Sequence, residues 1–472
     1  MEKEIDFSKN SGSIFLKNLI EHFGYSAEET TEQVQNPPCE PQEFQDLLQQ
    51  GAELLMNNDI QAFINCLLEI SRILEVYPEY TDFLNYSYLG FRLSMLGNPN
   101  ESSPKIILLI SDLLTNFTAN DRDYSTRLIQ TNELMQKDSD PGFFASHLSI
   151  LANQNVTYIY AIRVIPVLYN IASDWDVNNI CKIEDLSKLF AKIENDNELS
   201  FVYSFFFINV FRASKITDQS IANMLKKYSI NYILHDNEIS INIAWCLYYF
   251  CVNSELLLIV DEEFMSLIEN MLNSENESFQ HIAISILSII PIYTDVKDDQ
   301  HIKSNIMQLL NTFDLQPLFQ FAQSLDQTYA AASISAITNL SIFSETLFMN
   351  VINSNFFDLI LNLLADSPLL VKNYSVCFFG FAISHNSKLC DDFITEDNLD
   401  LLIDLCEIES IAVNLLQSLD IIMTSHPDVI PFFIDNNILE KYESIELDPE
   451  SQEFLLLQRI RELIDTNTNE EK

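Results

Sequence analysis

Glycine is nearly missing from this chain, with 7 residues in 472. Dinucleotide-binding and phosphate-cradling loops need glycine for tight turns and close backbone approach. Neither a GxGxxG nor a GxxxxGK motif followed by serine or threonine occurs. Positive charge is also scarce: 25 lysines and arginines stand against 69 aspartates and glutamates, a net charge of −44. Phosphate neutralisation needs a basic face, so nucleic acid is not expected as a partner. An anionic membrane surface would repel the chain for the same reason. No apolar run reaches the roughly 18 residues needed to span a bilayer. The opening MEKEIDFSKN is acidic and polar, so no signal peptide is expected.

Other chemistry is missing too. The eight cysteines (Cys39, Cys66, Cys181, Cys246, Cys251, Cys377, Cys390 and Cys406) include no CxxC pair, and several fall in apolar helix patterns. They read as reduced core residues of an intracellular protein, not as a disulfide frame or zinc site. His147, His235 and His281 belong to no HExxH or HxH pattern, so no metal site is expected. No serine lies in a GxSxG elbow. The carboxylate pairs Asp391-Asp392 and Glu262-Glu263 are adjacent in sequence and cannot face each other across a cleft. The expectation is a non-enzyme without metal or cofactor, in the cytoplasm or nucleus.

What is present is apolar surface. Apolar residues make up 47% of the chain, with leucine and isoleucine spread throughout, enough for a continuous core. At this length one compact core is implausible and a stacked array is natural. The stretch Ala331 to Leu364 shows the unit. An apolar helix (Ile334, Ala336, Ile337, Leu340) ends near Phe343, a second follows (Leu347, Val351, Ile352), Asn353-Ser354-Asn355 turn the chain, and a third starts at Phe356. Anchored at Asn339, equivalent positions are Asn170, Asn209, Tyr249 and Ile289 upstream and Phe381 and Ile421 downstream. The steps in chain order are 39, 40, 40, 50, 42 and 40 residues. This period predicts an all-α, right-handed superhelical armadillo/HEAT-type solenoid of nine to ten repeats. The long step carries Asp295 to Asp299, read as a loop insertion.

The spacing predicts final helices of the repeats over 161–172, 202–213, 243–252, 282–292, 333–342, 374–383 and 413–423. Asn355, Asn398 and Asn437 follow Asn339, Phe381 and Ile421 by 16, 17 and 16 residues. Each is expected to turn the chain in the left-handed region, where asparagine is tolerated next best to glycine. Residues 1–40 read as a weakly ordered tail, 41–464 as the array (clearest over 156–440), and 465–472 as a disordered tail. Counting back places earlier repeats near Asn132 and Ser94. Helix 455–464, with Arg459, Arg461 and Glu462, reads as an end cap.

With the repeat phased, Trp245-Cys246-Leu247-Tyr248-Tyr249-Phe250-Cys251-Val252-Asn253 resembles the WTLSNLCRN segment of importin-alpha proteins, matching at Trp245, Leu247, Cys251 and Asn253. Asn170-Ile171-Ala172-Ser173 matches the family's NIAS segment, and Thr338-Asn339-Leu340-Ser341 resembles its TNLS ending. The resemblance covers residues 130–440. It implies an adaptor for nuclear protein import that holds extended basic peptides on the third helices of its repeats. In that family asparagines hold the peptide backbone and tryptophans one turn earlier form slots for lysine stems. An asparagine amide can serve both sides of a peptide bond, and a tryptophan face attracts a cation. Carried over, asparagine persists at Asn170, Asn209 and Asn339, while Tyr249, Ile289, Phe381 and Ile421 replace it elsewhere. Tryptophan persists at Trp245, with Pro166, Phe205 and Ser335 at the equivalent positions. The family recruits a beta-type importin through a basic N-terminal segment; residues 1–40 here hold Lys3, Lys9 and Lys17 only.

Two readings compete. In the first, Asn170, Asp174, Asn209, Trp245, Tyr249, Asn339 and Phe381 line an acidic groove for a basic peptide. In the second, aromatic residues such as Tyr249 and Phe381 bind a folded partner or helix through an apolar groove, without a transport role. Trp245 in an apolar stripe is equally at home in a core, and the net charge serves solubility as well as attraction of basic partners.

Overall fold

The computed structural model describes residues 39–57, 59–85, 143–195, 198–233, 238–254, 259–296, 300–443 and 445–470, with isolated positions between 86 and 142 and at 257. The described residues form helices and turns, with twenty-two α-helices and no strand. The chain divides into two compact units, 1–258 and 259–472.

In the first unit, α1 (Pro41–Met56) packs on α2 (Ile60–Val76), followed by the short α3 (Thr81–Asn85). Proline opens α1, where its missing N–H costs nothing. Asp59 caps α2 by accepting the Ala62 N–H at 3.2 Å. After residue 142 the repeats are explicit: α4 (Phe143–Asn153), α5 (Tyr158–Asp174), α6 (Ile183–Asn195), α7 (Ser200–Ala213), α8 (Gln219–Ile233) and α9 (Glu238–Asn253). They lie in two layers. Helices α5, α7 and α9 pack in sequence against one another, and α4, α6 and α8 form the second row.

The sequence sets this division. Helix α6 has one apolar stripe (Leu186, Leu189, Phe190, Ile193) with charge on its other faces, whereas α7 (SFVYSFFFINVFRA) is apolar nearly all round. The first kind suits a surface row and the second an inner one. Between the rows, Phe190 meets Phe207 edge-on at 4.5 Å, with Phe206, Phe211 and Tyr228 also buried. Each fully buried ring contributes about 1.5–3 kcal/mol. Cation-poor as the chain is, Lys192 of α6 caps the carbonyls of Leu151 and Gln154 at the end of α4, both at 2.6 Å.

The second unit has three helices per repeat. Helices α10 (Glu262–Leu272) and α11 (Glu277–Val296) open it. Three repeats follow: α12 (Gln300–Asn311), α13 (Gln316–Ala322) and α14 (Gln327–Phe343); α15 (Glu345–Asn353), α16 (Phe356–Asp366) and α17 (Leu369–His385); α18 (Ser387–Phe393), α19 (Glu396–Leu405) and α20 (Glu409–Ser425). Then come α21 (Ile430–Asp435) and α22 (Gln452–Glu470). Helices α11, α14, α17, α20 and α22 pack consecutively as the inner row. This is an armadillo/HEAT-type helical-repeat fold, and all seven expected final helices lie within observed ones.

Four expectations need comment. Asn355 and Asn437 adopt the left-handed region, at φ 60° and 52°, but Asn398 does not. It lies inside α19, whose start is capped by Thr395 Oγ1 accepting the Asn398 N–H at 3.3 Å. A side-chain cap ends the turn there, so no left-handed residue is needed. Helix α22 continues to Glu470, well past the expected boundary at 464, so residues 465–470 are helical. The long step of the repeat is in part helix: α11 runs through Pro291 to Val296, and 297–299 lie outside the described residues. The repeats counted back to Asn132 and Ser94 also lie outside them, as does the tail over residues 1–38.

Candidate protein-binding face

The repeat anchors place one edge of each inner-row helix toward solvent. On α7 the half-buried positions include Phe201, Phe205, Ile208 and Arg212; on α9 they include Ile241, Trp245, Tyr248, Tyr249 and Val252. Spacings of three and four residues put each set on one helix face. On α5, Ile159 and Arg163 are exposed, and Pro166 and Asn170 are buried. The rings of the first unit touch. Tyr169 of α5 stacks on Phe205 of α7 at 4.4 Å and 21°. Trp245 stacks on Tyr249 at 5.9 Å and meets Tyr248 edge-on at 5.7 Å.

The charge on these helices departs from that of the chain. Across α5, α7, α9, α11, α14, α17 and α20, acids occur only as the first residue (Glu238, Glu277, Glu409), in the last two (Asp174, Asp295) and at Asp420. Asp420 is 6% exposed, and its Oδ1 lies 3.0 Å from Arg459 Nε of α22. Burial pushes its pKa up, and Arg459 opposes the shift. A solvated helix face in a chain with 69 acids would carry several of them. On α7 and α9 of the first unit the half-buried positions carry aromatic rings and Arg212 instead, residue types enriched in interface cores.

The asparagines serve the stack. Asn170 Nδ2 donates to Thr115 O at 3.0 Å and to Thr118 Oγ1 at 3.1 Å. Asn209 is 1% exposed and donates to Tyr169 O at 2.9 Å; its Oδ1 has no hydrogen-bond partner. Asn253 Nδ2 donates to Phe211 O and Arg212 O at 3.2 and 2.7 Å. Asn339 Nδ2 donates to Ser288 O and Oγ at 3.1 and 2.8 Å. The amides of Asn209, Asn253 and Asn339 each tie their helix to the inner-row helix a repeat earlier. Both N–H bonds of Asn170 and Asn339 are therefore committed, and Asn209 is out of reach of a ligand. The expected peptide clamps Asn170, Asn209 and Asn339 thus each have amide donors engaged within the protein.

The other expected residues divide between the units. Trp245 and Tyr249 lie on the aromatic face of the first unit. Asp174 ends α5 half-buried, with the Ser173 hydroxyl 3.4 Å from its Oδ1. Phe381, in the second unit, packs on Phe348 at 5.3 Å and His385 at 4.2 Å. Four residues before the anchors its row has Ser285, Ser335, Cys377 and Gln417, beside half-buried Ile289 and Ile421 and the exposed Ile292 and Ile342. The expected set therefore includes members of two different surfaces. Tyr248 shares the face of Trp245, where a helical wheel drawn on that residue puts it, and a wheel drawn on Phe205 puts Ile208 and Arg212 on the corresponding face of α7.

Nucleophilic chemistry has little to work with. Burial pushes the Cys246 and Cys251 thiols of α9 far above their usual range, and Cys181 up to about 12. Among the described residues no group of three or more His, Cys, Asp or Glu side chains could hold a metal ion. A recess of about 580 Å³ near α1 is lined by Gln42, Gln45, Asp46, Gln49, Asp82 and Phe83, and places no activated nucleophile.

No protein-family model matches the chain, and no curated protein matches it. Among solved structures, an engineered protein is similar with a TM-score of 0.62 at 12% identity, over 89% of this chain and 98% of its own. That likeness shows the fold alone. Kap121p bound to Pho4p gives a TM-score of 0.44 at 15% identity, over 82% of this chain and 38% of its own. UNC-45 from Drosophila melanogaster gives 0.36 at 11% identity, over 91% and 69%. Neither of these two likenesses bears on what the chain does.

Proposed function

We propose that this chain is a non-enzymatic helical-repeat scaffold that holds a protein partner against the aromatic face of α7 and α9. One observation carries the reading: a half-exposed helix face built of Phe201, Phe205, Trp245, Tyr248 and Tyr249, without an acid at any of its half-buried positions, in a chain of net charge −44. Solubility alone would not strip carboxylates from this edge and leave aromatic rings there. Trp, Tyr and Arg are also the residue types that dominate binding energy in interfaces.

A peptide-display selection against the full chain tests the proposal. Binders recovered on the wild type should lose their affinity on the Phe205→Ala, Trp245→Ala double variant, with the fold verified by circular dichroism. Retention of binding on that variant would place the partner elsewhere.

The net charge favours a second reading, the importin-alpha-like one. The acidic field would attract a lysine-rich nuclear-localisation-type peptide, and Trp245 could stack on its cations. The engaged asparagines count against it. Salt separates the readings: a basic peptide would lose most of its affinity between low and physiological ionic strength, and apolar docking would not.

A further inference from the structure

Independently of the aromatic face, we infer that residues 14–23 of the chain's own N-terminal segment form an amphipathic helix that docks in the recess beside α1.

The recess, of about 580 Å³, has an apolar floor and a polar rim. Among its lining residues Leu48, Ala52 and Leu89 are buried and Phe83 is half-buried, whereas Gln42, Gln45, Asp46, Gln49 and Asp82 are exposed. The rim is largely engaged with its own helix. Gln42 Nε2 donates to Asp46 Oδ1 at 3.0 Å, and Gln49 Nε2 to Glu53 Oε1 at 3.1 Å. A small-molecule cleft needs polar groups converging on the ligand. An apolar floor inside a polar rim suits the apolar side of an amphipathic helix.

The chain enters α1 at this place. Tyr80 donates its hydroxyl to the Cys39 carbonyl at 2.8 Å and meets Phe83 edge-on at 5.5 Å. Phe83 is the ring that lines the recess. No helix precedes α1 among the described residues. The end repeat of an array has no neighbour on one side and needs a cap. In the second unit α22 serves this way, burying Leu457, Ile460 and Ile464.

Residues 14–23 lie outside the described residues, and their pattern is read from SIFLKNLIEHFG, Ser13 to Gly24. Phe15, Leu16, Leu19, Ile20 and Phe23 recur at helical spacing, and Lys17, Asn18, Glu21 and His22 fall on the opposite side. Ser13 suits an N-cap, and Gly24 suits the residue just past a helix end. Gly12 and Gly24, two of only 7 glycines in the chain, bracket the segment. Lys17 complements the charged residues of the lining, Asp46 and Asp82. Residues 24–38 join the segment to Cys39. Fully extended they span about 50 Å, enough to return to a recess beside Cys39. A tether of this length holds the segment at roughly millimolar effective concentration, so a weak apolar contact suffices to keep it docked.

Trypsin reads the docking. Lys3, Lys9 and Lys17 are the only lysines or arginines before Arg72, and of these only Lys17 lies within the segment. In the full chain under native conditions, cleavage after Lys17, measured relative to Lys9, should be at least ~10-fold slower than in a synthetic peptide of residues 1–30, because only the undocked fraction is cut. Phe23→Asp in the segment should bring the rate to that of a peptide with the same change. Phe83→Ala in the recess should bring it to that of the wild-type peptide, with the fold verified by circular dichroism. Phe83→Leu replaces it if the alanine form melts early, and should lose at least ~3-fold of the protection. Cleavage after Lys17 as fast in the full chain as in the peptide overturns the inference. Protection that survives both Phe83 variants places the helix on another surface and overturns the recess as its site. Protection that grows with protein concentration gives the recess to the segment of a second copy and overturns docking within one chain. None of these outcomes bears on the α7 and α9 face, which the display selection judges separately.

Discussion

The same repeat position does different work in the two units. Five residues after the anchor, the first unit has Ser214 and Ser254, and the second has Ser344 and Asn386. Ser214 Oγ accepts the buried N–H of Val177 at 2.9 Å, and Ser254 Oγ accepts that of Ile216 at 3.0 Å. Each serine clasps the linker of the previous repeat. Ser344 and Asn386 cap the helices that follow them, α15 and α18, and the Ser344 hydroxyl also donates to Asn311 Oδ1 at 2.7 Å. The linker explains the difference. From Ala213 to Gln219 there is no room for an extra helix, so the serine is free to reach back. From Phe343 to Phe356 there is, and the side chain is used to start it. Four residues before the anchor the surfaces differ too: α7 and α9 of the first unit have Phe205 and Trp245, where the second has Ser285, Ser335, Cys377 and Gln417.

The comparison breaks most visibly at the level of binding. With a display-selected peptide, Phe205→Ala and Trp245→Ala should each cost at least ~2 kcal/mol, about 30-fold in Kd. Ser335→Ala and Gln417→Ala, at equivalent positions in the second unit, should change Kd by less than about twofold. Calorimetric titration reads both, and comparable losses from the two pairs would erase the distinction.

Stability should follow. Ser214→Ala leaves the buried Val177 N–H without its acceptor and should cost about 1–3 kcal/mol. Ser344→Ala removes a helix cap and the bond to Asn311 Oδ1 and should cost about 1–2 kcal/mol. Denaturant unfolding, followed separately for the two units, measures the pair; a costlier Ser344→Ala would reverse the comparison.

Arg459→Ala tests the end of the second unit. It strands the buried Asp420 carboxylate and should cost about 1–2 kcal/mol near neutral pH, less than a fully buried pair because Arg459 is half-exposed. Burial raises the folded pKa of Asp420 above its ordinary value. Protonation therefore favours the folded state, and the ionised carboxylate costs stability as pH rises through that raised pKa. The deficit of the variant relative to wild type should shrink as pH falls toward the acid range. A deficit independent of pH in paired thermal melts would remove Asp420 from the explanation. Smallest of the set, Asn355→Ala should cost about 1 kcal/mol, because alanine lacks the short polar side chain that makes asparagine tolerant of the left-handed region, with Asn355→Gly close to neutral.

The fold was largely legible because stacking imposes a period, and apolar residues recur with it from Asn170 to Ile421. Asn355 and Asn437 were legible as turns for a local reason, the backbone conformation they must adopt. Asn398 shares their spacing but was misread, since Thr395 three residues earlier supplies a cap and settles the turn another way. The role of Asn170, Asn209 and Asn339 was not legible. Whether an amide faces a ligand or a carbonyl of the preceding helix depends on a neighbour some 40 residues back or more, and spacing does not say which carbonyl is within reach. Trp245 and Tyr249 could be picked out as aromatic residues at anchor positions. Tyr248 was missed because one residue before the anchor also lies on the half-exposed edge of a 3.6-residue helix.

Acrylamide quenching of Trp245 fluorescence, in the full-length Trp175→Phe variant with and without a display-selected peptide, tests the docking face most directly. The account predicts that saturating peptide shields Trp245 and lowers its quenching constant severalfold. A peptide bound at saturation with quenching unchanged would contradict it.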